Sequence, residues 1–134
     1  DGMIGIVVVT HGRIAEELVA AARTIVGDVP AIAGVSIGWG DDPAAANAAI
    51  QRGLAEAGRG DVLILTDMFG GTPTNLSLPY LSDRVEIVTG VNLPMIIKAS
   101  ALREGALVEV ARAVREQGKG AIYVASEILA RRPA

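Results

Sequence analysis

The sequence contains no cysteine, only one histidine and only four aromatic residues among its 134 positions. The absence of cysteine excludes disulfides, thiol catalysis and thiolate metal sites, and it fits a reducing compartment. A single histidine excludes any site that needs two imidazoles, and we therefore expect neither a metal nor another cofactor. Four aromatic side chains are too few for a surface that stacks single-stranded nucleic acid.

The charge balance also limits the classes of partner. Twelve basic and fifteen acidic side chains give a net charge of -3, and no basic cluster is longer than Arg131-Arg132. Nucleic acid and anionic membrane are therefore not expected to bind this chain directly. The early apolar run, residues 3–9, is far shorter than the roughly 18 residues of a membrane span. We interpret Asp1-Gly2, before Met3, as a cloning remnant, residues 3–130 as one domain and residues 131–134 as a tail.

Apolar runs and helical patterns alternate along the chain, which is 51% hydrophobic. The runs are rich in β-branched residues and apolar on both faces, as in buried parallel strands. Strands are predicted at 4–9, 32–37, 62–65, 85–88 and, last, 121–124. Helices are predicted at 13–26, 43–57, 94–102 and 106–117, with another beginning at Thr72-Pro73. The first helix is expected to bury Ile14, Leu18, Ala22 and Ile25. This order predicts an α/β domain with a doubly wound, mostly parallel sheet.

Ligands of such sheets bind at the carboxyl ends of the strands, near the point where the strand order reverses. Three polar or glycine-rich loops directly follow predicted strands. They are Thr10-His11-Gly12, the loop of residues 67–75, and Gly90-Val91-Asn92-Leu93-Pro94. The sequence therefore predicts that the site lies where these loops meet.

His11 is the only imidazole, and it follows a buried strand. It can act as a nucleophile, a general base or a metal ligand, or it can be a structural hydrogen-bonding residue. Asp67 occupies the matching position after the third strand. If the two strands are neighbours, its carboxylate can orient His11 and leave the other ring nitrogen free to attack. Alternatively, Asp67 only caps the following glycine turn.

Gly70-Gly71-Thr72-Pro73 begins a predicted helix, where backbone N–H groups can bind an anion or a phosphoryl group. The stretch is not a Walker loop, because no lysine follows the glycines, and the turn after strand one lacks the dinucleotide fingerprint. The sequence contains no Gly-x-Ser-x-Gly motif, so nothing in it indicates a serine hydrolase. The residues alone leave a histidine suited to carry a phosphoryl group.

Three motifs together resemble a known family. Residues 3–12, the stretch Thr66-Asp67-Met68-Phe69-Gly70-Gly71-Thr72-Pro73-Thr74-Asn75, and Gly90-Val91-Asn92-Leu93-Pro94-Met95 appear in the family's order and spacing. They resemble the mannose-family enzyme IIA domains of the bacterial phosphoenolpyruvate:sugar phosphotransferase system. The resemblance covers nearly all of residues 3–124.

The resemblance implies a phosphotransferase component that works through a phosphohistidine. His11 would accept a phosphoryl group from the phosphocarrier protein HPr and pass it to a histidine of a IIB domain, while Asp67 would hold the other ring nitrogen. Thr10, Gly70, Gly71 and Thr72 would bind the phosphoryl group, and Phe69 would meet the partner protein. The family also implies a cytoplasmic homodimer completed by a C-terminal strand, here residues 121–124, that is exchanged between subunits.

Two roles remain open for such a protein. In the first, the phosphoryl group supports sugar uptake through a membrane permease, which would be the only connection to a membrane. In the second, the protein is regulatory, and its phosphorylation state controls which target it binds. Both roles use His11.

Overall fold

The computed structural model describes residues 3–130, so our interpretations of residues 1–2 and 131–134 lie outside the described part of the chain. Its strands form one parallel sheet in the order β2-β1-β3-β4. The strands are β1 (Gly5–His11), β2 (Ile32–Ile37), β3 (Val62–Thr66) and β4 (Val85–Thr89). The helices are α1 (Ile14–Val26), α2 (Pro43–Glu56), α3 (Thr72–Ser77), α4 (Leu93–Ala101), α5 (Leu107–Gly120) and α6 (Ala125–Ala130). The predicted α/β class and the doubly wound parallel sheet are confirmed.

The sheet is covered on both faces, as its apolar strands require. Ile6 and Val8 of β1 pack into a cluster with residues of α1, α4 and α5. Val7 and Val9 point the other way, into a cluster that includes residues of α2. Because successive side chains of a strand alternate between faces, a central strand with both faces covered must be apolar throughout.

The strand order reverses at β1. The chain runs from β1 to its neighbour β2 and then returns to place β3 on the other side of β1. Val9 pairs with Thr66 of β3, and His11 pairs with Ile37 of β2. The loops after β1 and β3 therefore leave the sheet side by side at the switch point, where open α/β sheets bind their ligands.

The predicted apolar face of α1 is confirmed at Ala22, which is buried, and at Leu18, which packs partly buried against the core, but it is wrong at Ile14 and Ile25. Ile14 and Ile25 are 48% and 58% exposed, whereas Ala15, Val19 and Ala22 are buried. The helix lies very close to β2, since a Cβ added at Gly34 would be 3.1 Å from the Ala15 carbonyl oxygen. A small residue suits this approach, so Ala15 faces the sheet and its neighbour Ile14 does not.

The C-terminal prediction was also wrong in part. Helix α5 continues to Gly120, residues 121–124 form no strand in the single chain, and α6 follows. Gly118 lies buried within α5 rather than at its end. A Cβ at this position would be 2.6 Å from Met95 of α4, so a larger residue would not fit here. The glycine thus permits close packing of two helices. Exchange of residues 121–124 between subunits stays a prediction.

Candidate functional site

His11 and Asp67 form a hydrogen-bonded pair across two neighbouring strands. His11 ends β1, and Asp67 directly follows β3. The His11 Nδ1 atom lies 2.8 Å from Asp67 Oδ2, and the His11 main-chain N–H donates to the same oxygen at 2.9 Å. The Met68 N–H donates to Asp67 Oδ1 at 3.0 Å. The carboxylate is therefore fixed through both oxygens, and its role extends beyond capping its own turn.

The environment of Asp67 keeps it ionised. Burial acts to raise the pKa of Asp67, but hydrogen bonds from the His11 main chain and ring, with attraction to that ring, bring the pKa below its ordinary value of 3.8. A carboxyl group whose pKa is lower in the folded than in the unfolded state stabilises the fold at any pH above its unfolded-state pKa. This stabilisation is lost as the pH falls through the folded-state pKa. The pair therefore contributes to stability at neutral pH and loses that contribution only below about pH 3.8.

An ionised carboxylate only accepts hydrogen bonds, so the proton shared with His11 belongs to Nδ1. In the neutral ring, the lone pair is then on Nε2. The side chains of His11 and Asp67 are 17% and 14% exposed, so the ring is held within the protein but is still accessible. The geometry is that of an oriented nitrogen nucleophile.

Gly71 lies directly against the Nε2 side of the His11 ring. A Cβ at Gly71 would be 2.6 Å from His11 Cε1 and 3.0 Å from Nε2. Gly71 is also the residue that precedes the first turn of α3, with an extended backbone at φ -93° and ψ 172°. This backbone suits any residue, so it is the space beside His11 that requires glycine here.

Hydrogen bonds of two buried threonines, Thr66 and Thr74, hold the loop that carries Asp67. The Thr74 hydroxyl lies 2.7 Å from Thr66 Oγ1 and 2.5 Å from the Met68 carbonyl oxygen. Both threonine side chains are buried. Gly70 has a φ of +90°, a conformation that favours glycine, and this turns the chain back toward His11.

The remaining predicted site residues lie near the pair in different settings. Thr10 is buried, and its hydroxyl accepts the Ala15 N–H at 2.7 Å near the start of α1. Thr72 is exposed and is the first residue of α3, so this helix begins where the sequence predicts; Gly71 occupies the capping position, and no side chain bonds there. Phe69 is 74% exposed on the loop.

The third predicted loop, residues 90–94, reaches the same edge of the sheet, where its described hydrogen bonds join it to β3 and cap α4. The Val91 N–H donates to the Thr66 carbonyl oxygen at 2.8 Å, which joins the loop to the end of β3. Asn92 Oδ1 accepts the Met95 N–H at 3.1 Å and caps α4.

Trp39 is the site residue that sequence reasoning missed. Its indole stacks on the His11 ring, with the ring centroids 4.8 Å apart and the planes at 18°. The available signal was its position: the only tryptophan of the chain lies between two glycines just after β2, at the edge where the other loops meet.

Within residues 3–130, no three His, Asp or Glu side chains come together as metal ligands. None of the helices in this range is long and apolar enough to cross a bilayer.

Comparison with known proteins identifies the family of this chain. The family model described as "PTS system fructose IIA component" matches residues 5–115. The PTS system mannose-specific EIIAB component of Escherichia coli K12 is 32% identical over 109 residues, which cover 75% of this chain and 32% of that protein. The PTS system fructose-specific EIIA component of Bacillus subtilis is 35% identical over 72 residues, covering 52% of this chain and 49% of that protein.

A solved structure extends the match to the fold. The mannose/sorbose specific IIA subunit of the phosphotransferase system from Enterococcus faecalis has a TM-score of 0.83 at 31% identity, covering 91% of this chain and 94% of that one. Fold and site define a doubly wound α/β domain that presents an oriented histidine at its switch point. The chain belongs to the mannose/fructose IIA family of the phosphotransferase system, whose members are phosphotransferase components. The family resemblance of the three motifs is thereby confirmed.

Proposed function

We propose that this protein carries a phosphoryl group on His11 Nε2, which it accepts from phospho-HPr and passes to a histidine of a IIB domain during sugar uptake. The observation that carries the proposal is the hydrogen bond between His11 Nδ1 and Asp67, because it leaves the lone pair on Nε2. A cytoplasmic location and an indirect connection to the membrane, through a permease partner, belong to the same proposal.

Each transfer exchanges one nitrogen–phosphorus bond for another. The Nε2 lone pair forms a bond to phosphorus while the bond to the donor histidine breaks, and the donor nitrogen recovers its electron pair. His11 Nδ1 keeps its proton, so the phosphorylated ring carries a positive charge that the Asp67 carboxylate stabilises. Such a reaction depends on in-line approach and charge stabilisation more than on proton transfer.

The phosphoryl oxygens would be bound by the backbone N–H groups of Gly70, Gly71 and Thr72, beside Nε2. This role is supported by the contact between Gly71 and the ring. The role predicted for Thr10 stays a prediction; its bond to Ala15 suits it to hold the start of α1 beside His11. The exposed Phe69 ring would contact the partner protein, since aromatic side chains are enriched in such interfaces.

The proposal is tested by phosphoryl transfer in vitro. The protein is mixed with phosphoenolpyruvate, enzyme I and HPr, and its intact mass is measured. We expect one phosphate per chain, labile in acid and stable in base. Absence of phosphate on the folded protein, with its cognate HPr, would refute the proposal.

Replacement of Gly71 with Ala should lower the transfer rate by about ten- to a hundredfold, because the new Cβ displaces the His11 ring from its attacking position. The backbone of Gly71 accommodates alanine, so the fold should persist. Rates are compared with those of Gly120→Ala, since a Cβ at Gly120, at the end of α5, meets nothing within 4 Å. Equal rates for the two variants would contradict the positional role of Gly71.

The homodimer is a second part of the proposal. Strand β4 pairs with β3 on one edge, and its other edge carries no strand in the described chain. Beside it lies a groove of about 490 Å³ whose lining includes Leu78, Leu81, Ile87 and Val108. The apolar residues Ile122, Tyr123 and Val124 are exposed. An open strand edge and an exposed apolar segment of another copy are complementary, because the segment can add a strand to the sheet.

Removal of residues 121–134 is therefore expected to convert a dimer into a folded monomer. Residues 121–124 and α6 are largely exposed in the single chain, so their loss should leave the core unchanged. Sedimentation velocity gives the oligomeric state, and Ile122→Asp in the untruncated 134-residue chain tests the apolar contact alone. A stable dimer without residues 121–134 would exclude strand exchange.

A further inference from the structure

The stacking of Trp39 on His11 is a contact that the proposed carrier function does not use. The indole is 82% exposed, so it contributes little to the core. The indole nevertheless stacks face to face on the His11 ring. The same ring is hydrogen-bonded to Asp67 at Nδ1 and lies against Gly71 at Cε1. Three groups thus constrain one imidazole from three directions.

The turn that carries Trp39 is closed by its own hydrogen bonds. Asp41 Oδ2 accepts the Gly38 N–H at 2.8 Å, and the Asp41 N–H donates to the Gly38 carbonyl oxygen at 3.1 Å. The turn follows the last residue of β2, Ile37, whose carbonyl oxygen accepts the Gly12 N–H at 2.8 Å. Trp39 is therefore held beside His11 by the sheet register and by a closed turn.

The chemistry of the ring gives this contact a consequence. An aromatic face attracts a cation, and the attraction is weaker for a neutral ring. If Nε2 takes a phosphoryl group while Nδ1 keeps its proton, the His11 ring changes from neutral to cationic. A stacked indole then stabilises the product more than the reactant, and part of this difference also lowers the barrier to transfer.

We propose that Trp39 is a positioning residue that holds the His11 ring plane and favours its phosphorylated, cationic form. This inference rests on the proposed carrier function. It assigns to the β2 loop a role in setting how readily the protein accepts and releases phosphate.

The decisive quantity is the equilibrium constant for phosphoryl exchange between phospho-HPr and this protein. This constant depends only on the free proteins and their phosphorylated forms, so a residue that merely contacts HPr cannot change it. We expect Trp39→Leu to lower the constant about two- to fivefold, the range for an exposed cation–π contact. Trp39→Phe keeps an aromatic face, so its equilibrium constant should lie close to the wild-type value.

The measurement uses the untruncated 134-residue chain and quantifies both phosphorylated species at equilibrium by intact mass. Proton NMR of His11 in the same samples reports the stack, since loss of the indole ring current shifts the His11 ring protons in Trp39→Leu. An unchanged equilibrium constant, or unchanged His11 ring protons, would overturn the role of Trp39 while the carrier function stands. A wild-type protein that takes no phosphate would overturn both. A slower approach to an unchanged equilibrium would identify Trp39 as a docking contact only.

Discussion

His11→Ala is expected to abolish phosphoryl acceptance from HPr and to leave the fold intact. The chain has no other imidazole and no cysteine, so no second histidine or thiol can take the place of His11 as the carrier. The loss should be complete within the detection of intact mass, because the substitution removes the atom that bonds to phosphorus.

The fold should survive because the ring contacts the site and not the core clusters. Asp67 keeps the main-chain N–H groups of His11 and Met68 as donors after the ring is removed. Circular dichroism and the melting temperature provide the control for folding. A folded His11→Ala protein that still gains an acid-labile phosphate would show that the carrier is another residue.

Asp67→Ala is expected to slow transfer by about a hundredfold or more, because it removes the group that fixes the orientation and the protonated nitrogen of His11. It also removes the acceptor of the His11 main-chain N–H. An unsatisfied polar group of this kind costs about 1–3 kcal/mol, so the variant should also melt at a lower temperature.

Asp67→Asn separates charge from geometry. The asparagine oxygen can still accept the proton of His11 Nδ1, but it does not offset the positive charge of the phosphorylated ring. We therefore expect a transfer rate between those of wild type and Asp67→Ala. Single-turnover kinetics measure the rates, and nitrogen NMR shows which ring nitrogen is protonated. Wild-type rates for Asp67→Ala would refute the orienting role.

The sequence predicted the sheet and the central pair for a physical reason. Strands that are buried on both faces must be apolar on both faces, so their runs stand out from the amphipathic helices. The pairing of His11 with Asp67 then required only that β1 and β3 be neighbours, which places both residues at the same edge.

The sequence was less informative where the structure depends on spacing between elements. The buried face of α1 follows from the close approach at Gly34, which a pattern of apolar residues does not reveal. The helix predicted to end at residue 117 continues through Gly118, because this glycine allows the close contact with Met95. Trp39 reaches His11 only through the register that pairs His11 with Ile37, so its role appears only in three dimensions.

The two halves of the site are separated by 56 positions along the chain. Helix α1, strand β2 and helix α2 lie between them, so the pair cannot form until β3 has docked against β1. Parallel pairing over such separations is a late and slow event in folding, because the loop entropy is lost before the contacts are gained. A nascent or partly unfolded chain therefore displays His11 without its carboxylate. Under the proposed function, we therefore expect a chain in which β3 has not yet paired with β1 to lack the oriented histidine and to accept phosphate poorly from the donor.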